Sequence, residues 1–526
     1  MPTRSFWGWG YEENAYQSSE IQQLQRLLSM QFGATEASPQ AIPDLADLNL
    51  PDSRLSPPDS LAGLLSSDRH DRANHTYGKS FRDIVRGLNG DFRCAPDLIA
   101  RPGNEQELVD VLSFASDAGA AVIPYGGGSS VVGGTEHRYD RDWPGTITVD
   151  MERFNRITEI DRTSRAAFIE GGIYGPALEN QLRNQGLTLR HYPQSFEFST
   201  LGGWIATRSG GHFATLYTHI DDLVESARVV TPSGTLESRR LPGSGAGPSP
   251  DRLFLGSEGT LGFITGAWMR LQDRPVYKAS RTVHFRSFLK GAEAVRQLSQ
   301  SGLYPTNCRL IDAMEAMING IGSGGKHMLI IGFESADHPV DAAMTRAMEI
   351  VTGCGGEPQP ETPRASDSAQ AGEWRQQFIR APYMRDALIR LGMVAETFET
   401  AITWNQFEAF HAGVMETVNR VVKETCGKAV VTCRFTHVYP DGPAPYYTVI
   451  APGRPGDQVC QWDAIKAAVM ETLINLGGTI THHHAVGRDH RPGYDRQRPD
   501  LFAQVLRSTK KTLDPQGMLN PGVLID

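Results

Sequence analysis

Apolar positions become periodic at Asp97. In PDLIARPGNEQELVDVLSFASDAGAAVIPYGGGSS, Leu108, Val111, Leu112 and Ala115 recur at helical spacing, which predicts a helix between two short strands. Asn104 is the expected N-cap, with Glu107 three residues on in a capping-box-like pattern. Gly119 ends that helix, and AAVIP is a short buried strand that delivers the chain into Gly126, Gly127 and Gly128. TITVD, RITEID and AAFIEGG read as further strands, and GPALENQLRNQG as a helix. The alternation runs to about residue 275 and predicts an α+β domain with mixed sheets.

A flexible loop, LPGSGAGPSP, interrupts that domain at residues 241–250. A second unit starts at YKASRTVHF, with the amphipathic helix FLKGAEAVRQLSQSG and the buried strand KHMLIIGFES. GGEPQPETPRASDSAQAG reads as an exposed loop, and LFAQVLRSTKKTLDPQGMLNPGVLID as a helix, a Pro/Gly stop and a short tail. Upstream, residues 17–70 are polar and rich in Pro, Ser and Asp, so an extended loop without a core is expected there. FWGWGY is too aromatic for a free terminus, and Trp7 and Trp9 are expected to dock on the body.

Composition narrows the function classes. The chain has 526 residues, enough for about three structural units. Its net charge of -9 argues against nucleic acid as a partner, since phosphate neutralisation needs a surplus of Lys and Arg. Six scattered cysteines without a CxxC pair read as free thiols in a reducing compartment. No secretory signal and no membrane-spanning apolar run is read, and GVLID is not a peroxisomal address, so a cytoplasmic protein is expected.

Three stretches of small residues carry the candidate chemistry. The first holds Pro124, Tyr125, Gly126, Gly127, Gly128, Ser129 and Ser130. Consecutive backbone N–H groups there can form an anion nest, although a triple glycine also fits a plain tight turn. It is neither a Rossmann nor a Walker loop. The second contains Pro193, Ser195, Ser199, Thr200, Gly202, Gly203, Ala206, Thr207, Arg208 and Ser209. The third, GSEGTLGFIT, contains Glu258, Gly259, Gly262 and Ile264. Together they suit a long ligand with a pyrophosphate, which needs donors from several loops.

The order of these stretches resembles the vanillyl-alcohol oxidase-type flavoproteins, over residues 95–275 plus LDPQGMLNPG near the end. That resemblance implies a two-subdomain FAD-binding domain with an α+β substrate cap. Some members attach FAD through a histidine in the first loop; here Ser129 and Ser130 stand there, so noncovalent FAD is expected. The implied division is an N-terminal extension (1–94), the FAD-binding domain (95–275), the cap (276–490) and a segment returning to the FAD domain (491–526).

SFEFSTLGGWIATRSGG, DDLVESARVVTPSG, LFLGSEGTLGFIT, RLID, YMRD, THVYPDGPAPYY and the histidine run narrow this further. They resemble the alkylglycerone-phosphate (alkyl-dihydroxyacetone-phosphate) synthase family. Its members exchange the acyl chain of acyl-dihydroxyacetone phosphate for a long-chain fatty alcohol, with no net redox. The resemblance implies Tyr446 as the acid/base, Arg385 as a substrate-binding arginine and Arg309 as an arginine needed for activity. It also implies catalytic roles for His482, His483 and His484. Peripheral membrane contact and a homodimer are compatible with it.

Read from its own residues, GGTITHHHAVG looks like a strand, with His482 and His484 on one face and His483 on the other. A His-x-His pair can bind zinc, imidazoles can simply be satisfied by backbone, or they can move protons near neutral pH. No HExxH and no nearby Asp or Cys completes a metal set, so none is expected. His212 is expected to be a packing histidine, and His437, in the tyrosine motif, to face the same cavity. The rival activity on the same fold is an FAD-dependent 2-hydroxy-acid dehydrogenase of D-lactate or glycolate type. A catalytically idle flavin-binding scaffold is the second rival.

Overall fold

The structure is a computed structural model that describes residues 3–33, 38–138, 142–213, 215–320, 324–360 and 369–525. Among the described residues, three sheets of four or more strands organise it, beside one two-stranded pairing. A four-stranded sheet has the order Leu65–Ser66, Leu98–Ala100, Thr146–Asp150, Ala121–Tyr125, with parallel pairing among the last three. A five-stranded antiparallel sheet runs Ile157–Asp161, Ala166–Glu170, Phe263–Arg270, Val224–Thr231, Gly234–Glu237. A seven-stranded antiparallel sheet runs Glu357–Pro358, Tyr277–Phe285, His327–Ser335, Asn307–Ile311, Val430–Val438, Pro443–Pro452, Met393–Glu399. The α+β class expected from the pattern is the one observed.

Local signals mostly hold. Glu105–Asp117 is the predicted helix, and Asn104 Oδ1 accepts from the backbone N–H of Glu107 at 3.0 Å. The capping box is altered: Glu107 Oε2 accepts from Gly103 N–H at 2.6 Å, one residue before the N-cap. Gly119 stands just past the helix at φ +62°. The loop at 241–250 is exposed.

Two readings are corrected. Residues 18–32 form a helix, Ser18–Phe32, whose Ile21, Leu28 and Phe32 pack against Leu388, Leu391 and Met393. Its apolar residues are too sparse to read as a core face until the partner surface is present. The exposed loop expected at 355–372 is shorter: Glu357–Pro358 pairs with Val283 and His284, and a helix starts at Ala369, while residues 361–368 lie outside the described residues.

Trp7 and Trp9 dock as expected, both buried, and Trp9 N–H donates to Asp386 Oδ2 at 2.5 Å. The C-terminal segment returns to the four-stranded sheet, where Leu519 bridges Val122 in parallel and Asn520 N–H donates to the Val122 carbonyl at 2.8 Å. Among the described residues no helix is long and apolar enough to cross a membrane.

Candidate active site

The seven-stranded sheet sorts its side chains between a helix-covered core and a cleft. Successive residues on a strand point to opposite faces. On Val430–Val438, Val431, Cys433 and Phe435 enter the core, while Thr432, Arg434 and Thr436 line the cleft. On Met393–Glu399, Val394 and Phe398 go inward, and Ala395 and Thr397 line the cleft. On Pro443–Pro452 the same alternation sends Tyr447 into the core, stacked on Phe398 at 4.8 Å with its hydroxyl 3.1 Å from His411 Nδ1. Of the two, Tyr446 is therefore the one that faces the cleft. A register shift between Phe435 and His437 turns His437 to the cleft beside Thr436.

The facing wall is built from the three small-residue stretches, around a cavity of about 350 Å³. All the singled-out positions of these stretches line it except Arg208. Arg208 caps the Leu201–Thr207 helix in the left-handed region, φ 51°, and its Nε donates to Asp221 Oδ2 at 2.7 Å, away from the cleft. The glycines also serve the wall itself. A Cβ on Gly127 would stand 1.9 Å from the Phe198 carbonyl oxygen, and one on Gly259 2.6 Å from the Pro124 ring. Glu258 lines the cleft while its carboxylate accepts from the N–H groups of Val486 and Gly487 at 2.9 and 2.8 Å. Burial pushes its carboxyl up to about 7, against the pull of those two N–H groups.

The histidine run is not a strand. It is irregular backbone drawn around Glu399, a buried carboxylate that accepts from the N–H of His482, from that of His483 at 3.2 Å, from that of His484 at 2.9 Å, and from Thr481 Oγ1 at 2.7 Å. An acceptor for three successive N–H groups replaces the ladder that a strand would need. Burial alone would raise the Glu399 carboxyl, but the positive charge that His484 and His482 take up in acid, together with these hydrogen bonds, outweighs it and holds it at about 2.

His483 and His484 line the cleft; His482 sits behind them. The Tyr446 ring stacks on His483 at 6.1 Å and meets His484 edge-on at 5.6 Å. Burial drives the imidazoles of His483 and His484 below their ordinary range, so both are neutral bases near pH 7. The Arg434 guanidinium lies 3.9 Å over the Tyr446 ring and is ion-paired with buried Glu315. Burial raises the Tyr446 phenol and Arg434 opposes it.

Arg309 is buried in the same cleft, its Nη2 donating to His212 Nδ1 at 3.0 Å and to the His212 carbonyl at 3.3 Å. Burial and the neighbouring Arg434 push its guanidinium down to about 9. Arg385, on the Ala369–Arg390 helix, reaches the cleft from another side and donates to Asp386 Oδ1 at 3.4 Å. His437, His482 and His483 each offer a ring nitrogen within 4.8 Å of the others. His437 Nε2, however, donates to the Gly211 carbonyl at 2.8 Å, and His482 Nε2 bonds the Tyr439 hydroxyl at 2.7 Å.

Family models described as "FAD binding domain" and "FAD linked oxidases, C-terminal domain" match residues 96–238 and 274–524. The alkyldihydroxyacetonephosphate synthase of Dictyostelium discoideum is 32% identical over 487 residues, covering 88% of this chain and 78% of that one. The chain belongs to the alkyldihydroxyacetonephosphate synthase family. A solved alkyldihydroxyacetonephosphate synthase superposes with a TM-score of 0.81 at 27% identity, covering 98% of both chains. p-Cresol methylhydroxylase shares the fold, with a TM-score of 0.69 at 14% identity.

FAD is the cofactor of this synthase family, and the cleft fits it. Two polar atoms of the wall, Asn520 Oδ1 and Thr135 Oγ1, are buried with no hydrogen-bond partner among the described residues. Such orphaned groups call for a polar ligand. Sequence reasoning missed Glu399, Arg434, Glu315, His219 and Tyr439. Arg434 carries one signal in hindsight: it stands in phase with Thr432 and Thr436, on the polar side of a strand whose other side is the apolar Val431, Cys433 and Phe435.

Proposed function

We propose that this protein exchanges the acyl chain of acyl-dihydroxyacetone phosphate for the alkoxy group of a long-chain fatty alcohol. The reading rests on one arrangement above all. Tyr446 and His483 stack in a single cleft with Arg309 and Arg434, between a glycine-rich wall and an apolar one. Family membership supports the same substrate pair, acyl-dihydroxyacetone phosphate and fatty alcohol.

Each part has a physical role. Arg309 and Arg434 bring two guanidinium groups to one cleft, which suits a phosphate in a protein of net charge -9. Arg385 is the third cation of that cleft and completes the grip on the substrate. Neutral His483 takes a proton from the three-carbon unit, and Glu399, 3.8 Å from its Nδ1, balances the imidazolium that results. The Tyr446 hydroxyl exchanges protons with the oxygens that leave and enter. Ile318, Met384, Leu388, Ala395 and Ile450 form the apolar wall against which an alkyl chain can lie. When bound, the flavin supplies the reactive ring at which the exchange takes place. It is held without a covalent bond, because Ser129 and Ser130 stand in the first loop.

In the balanced exchange the acyl group leaves with its ester oxygen as a fatty acid, and the alcohol oxygen forms the new ether bond. Both chains are poorly soluble, so the reading includes a peripheral membrane contact. The test is direct. Purified holoenzyme with palmitoyl-dihydroxyacetone phosphate should release palmitate only when hexadecanol is added. Anaerobic bleaching of the flavin by D-lactate or glycolate, with no such release, would replace the synthase by a 2-hydroxy-acid dehydrogenase. Turnover of neither substrate would leave the scaffold reading.

A further inference from the structure

The hydrogen bonds behind His483 decide which of its ring nitrogens carries the proton. His219 Nδ1 lies 3.0 Å from the Arg208 carbonyl, which can only accept, so this nitrogen is the donor. In the neutral ring Nε2 is then a lone pair. It faces His482 Nε2 at 3.2 Å. Two lone pairs at that distance repel, so His482 Nε2 must carry the hydrogen. His482 Nδ1 is therefore an acceptor, and it lies 3.0 Å from His483 Nδ1. His483 Nδ1 must donate, and its Nε2 is left as the unprotonated nitrogen.

Tyr439 makes the opposite register available. Its hydroxyl is 2.7 Å from His482 Nε2 and 3.2 Å from Thr218 Oγ1. If Tyr439 donated to His482, the chain would reverse and His483 Nε2 would become a donor, useless as a base. His219 blocks this by demanding a hydrogen from His482, which turns the Tyr439 O–H toward Thr218. The ring centroids of His219 and His482 are 4.6 Å apart.

We propose that His219 is a positioning residue that fixes, through His482, the tautomer of His483 and keeps Nε2 of His483 as the proton acceptor of the cleft. The inference deepens the synthase reading and rests on it for its kinetic consequence, but not for the tautomer itself. The proton accounting closes: Nε2 of His483 gains one hydrogen from the substrate, Nδ1 keeps its own, and the imidazolium faces Glu399.

The experiment is nitrogen-15 NMR of histidine-labelled holoenzyme, with the His483 signals assigned by His483→Gln. Wild type should show His483 protonated at Nδ1. In His219→Ala the pattern should move to Nε2, and kcat should fall about 100-fold with KM unchanged, the scale of a lost general base. His219→Gln, whose side-chain carbonyl can accept from His482, should restore both. Equal flavin absorbance in the variants excludes a folding defect. A His483 pattern unchanged in His219→Ala, or a His219→Gln enzyme as slow as the alanine variant, would overturn the proposal. Should the holoenzyme form no ether, the nitrogen pattern still reads the tautomer, so failure of the synthase reading is told apart from failure of this one.

Discussion

Glu399 and Tyr446 are direct partners across the Met393–Glu399 and Pro443–Pro452 strands, and Arg434 is the partner of Tyr446 on its other side. Three neighbouring strands thus set a carboxylate, a phenol and a guanidinium in one row on one face. The carboxylate gathers the histidine run, the phenol stacks on it, and the guanidinium covers the phenol. The proposed catalytic group is organised by sheet register, and its consequences can be tested one residue at a time.

Tyr446→Phe keeps the ring that stacks on His483 and removes only the hydroxyl. Ether formation should fall by about 100- to 10,000-fold, the range of a positioned acid/base. Flavin content and melting temperature should stay at wild-type values. Assay of the purified variant beside its absorbance spectrum checks both.

Glu399→Gln should destabilise the fold in a pH-dependent way. The carboxyl sits at about 2, below its ordinary 4.5, so the carboxylate stabilises the fold above pH 4.5 and loses that contribution as pH falls toward 2. The full effect is on the order of 3 kcal/mol. Thermal melts across pH should show a gap between wild type and variant that is widest near neutrality and closes in acid.

Arg309→Lys should weaken substrate binding. A lysine keeps charge but loses the fork that reaches His212 and the cleft together. The apparent KM for the phosphorylated ketone should rise by about 10- to 100-fold, as for loss of a charged hydrogen bond. The KM for the alcohol, which bears no phosphate, should change little; initial rates with each substrate varied decide it.

Gly127→Ala places a methyl against the Phe198 carbonyl, backbone on backbone, with no flexible neighbour to give way. The first and second loops must part, and the flavin should dissociate. The ratio of visible to ultraviolet absorbance after gel filtration should drop well below that of wild type, while the seven-stranded sheet keeps its far-ultraviolet signal.

The sequence by itself determined the α+β class, the Asn104 cap, the strand that ends in the triple glycine, and the docking of Trp7 and Trp9. Each rests on local period or on a residue type whose preference needs no partner. It also marked the three small-residue stretches, because glycine and serine in such density serve few purposes in a strand or helix interior. The Ser18–Phe32 helix was hidden, since its core face exists only against Leu388, Leu391 and Met393. The histidine run misled for a related reason. Its apolar and polar sequence fits a strand, but a buried carboxylate some 80 residues earlier takes its N–H groups. Which of Tyr446 and Tyr447 faces the cleft was likewise a matter of register, as a shift of one residue exchanges the two faces of a strand. The tertiary structure alone decided where Arg208 points and which nitrogen of His483 is bare. Both depend on acceptors, Asp221 and the Arg208 carbonyl, whose positions no local pattern encodes.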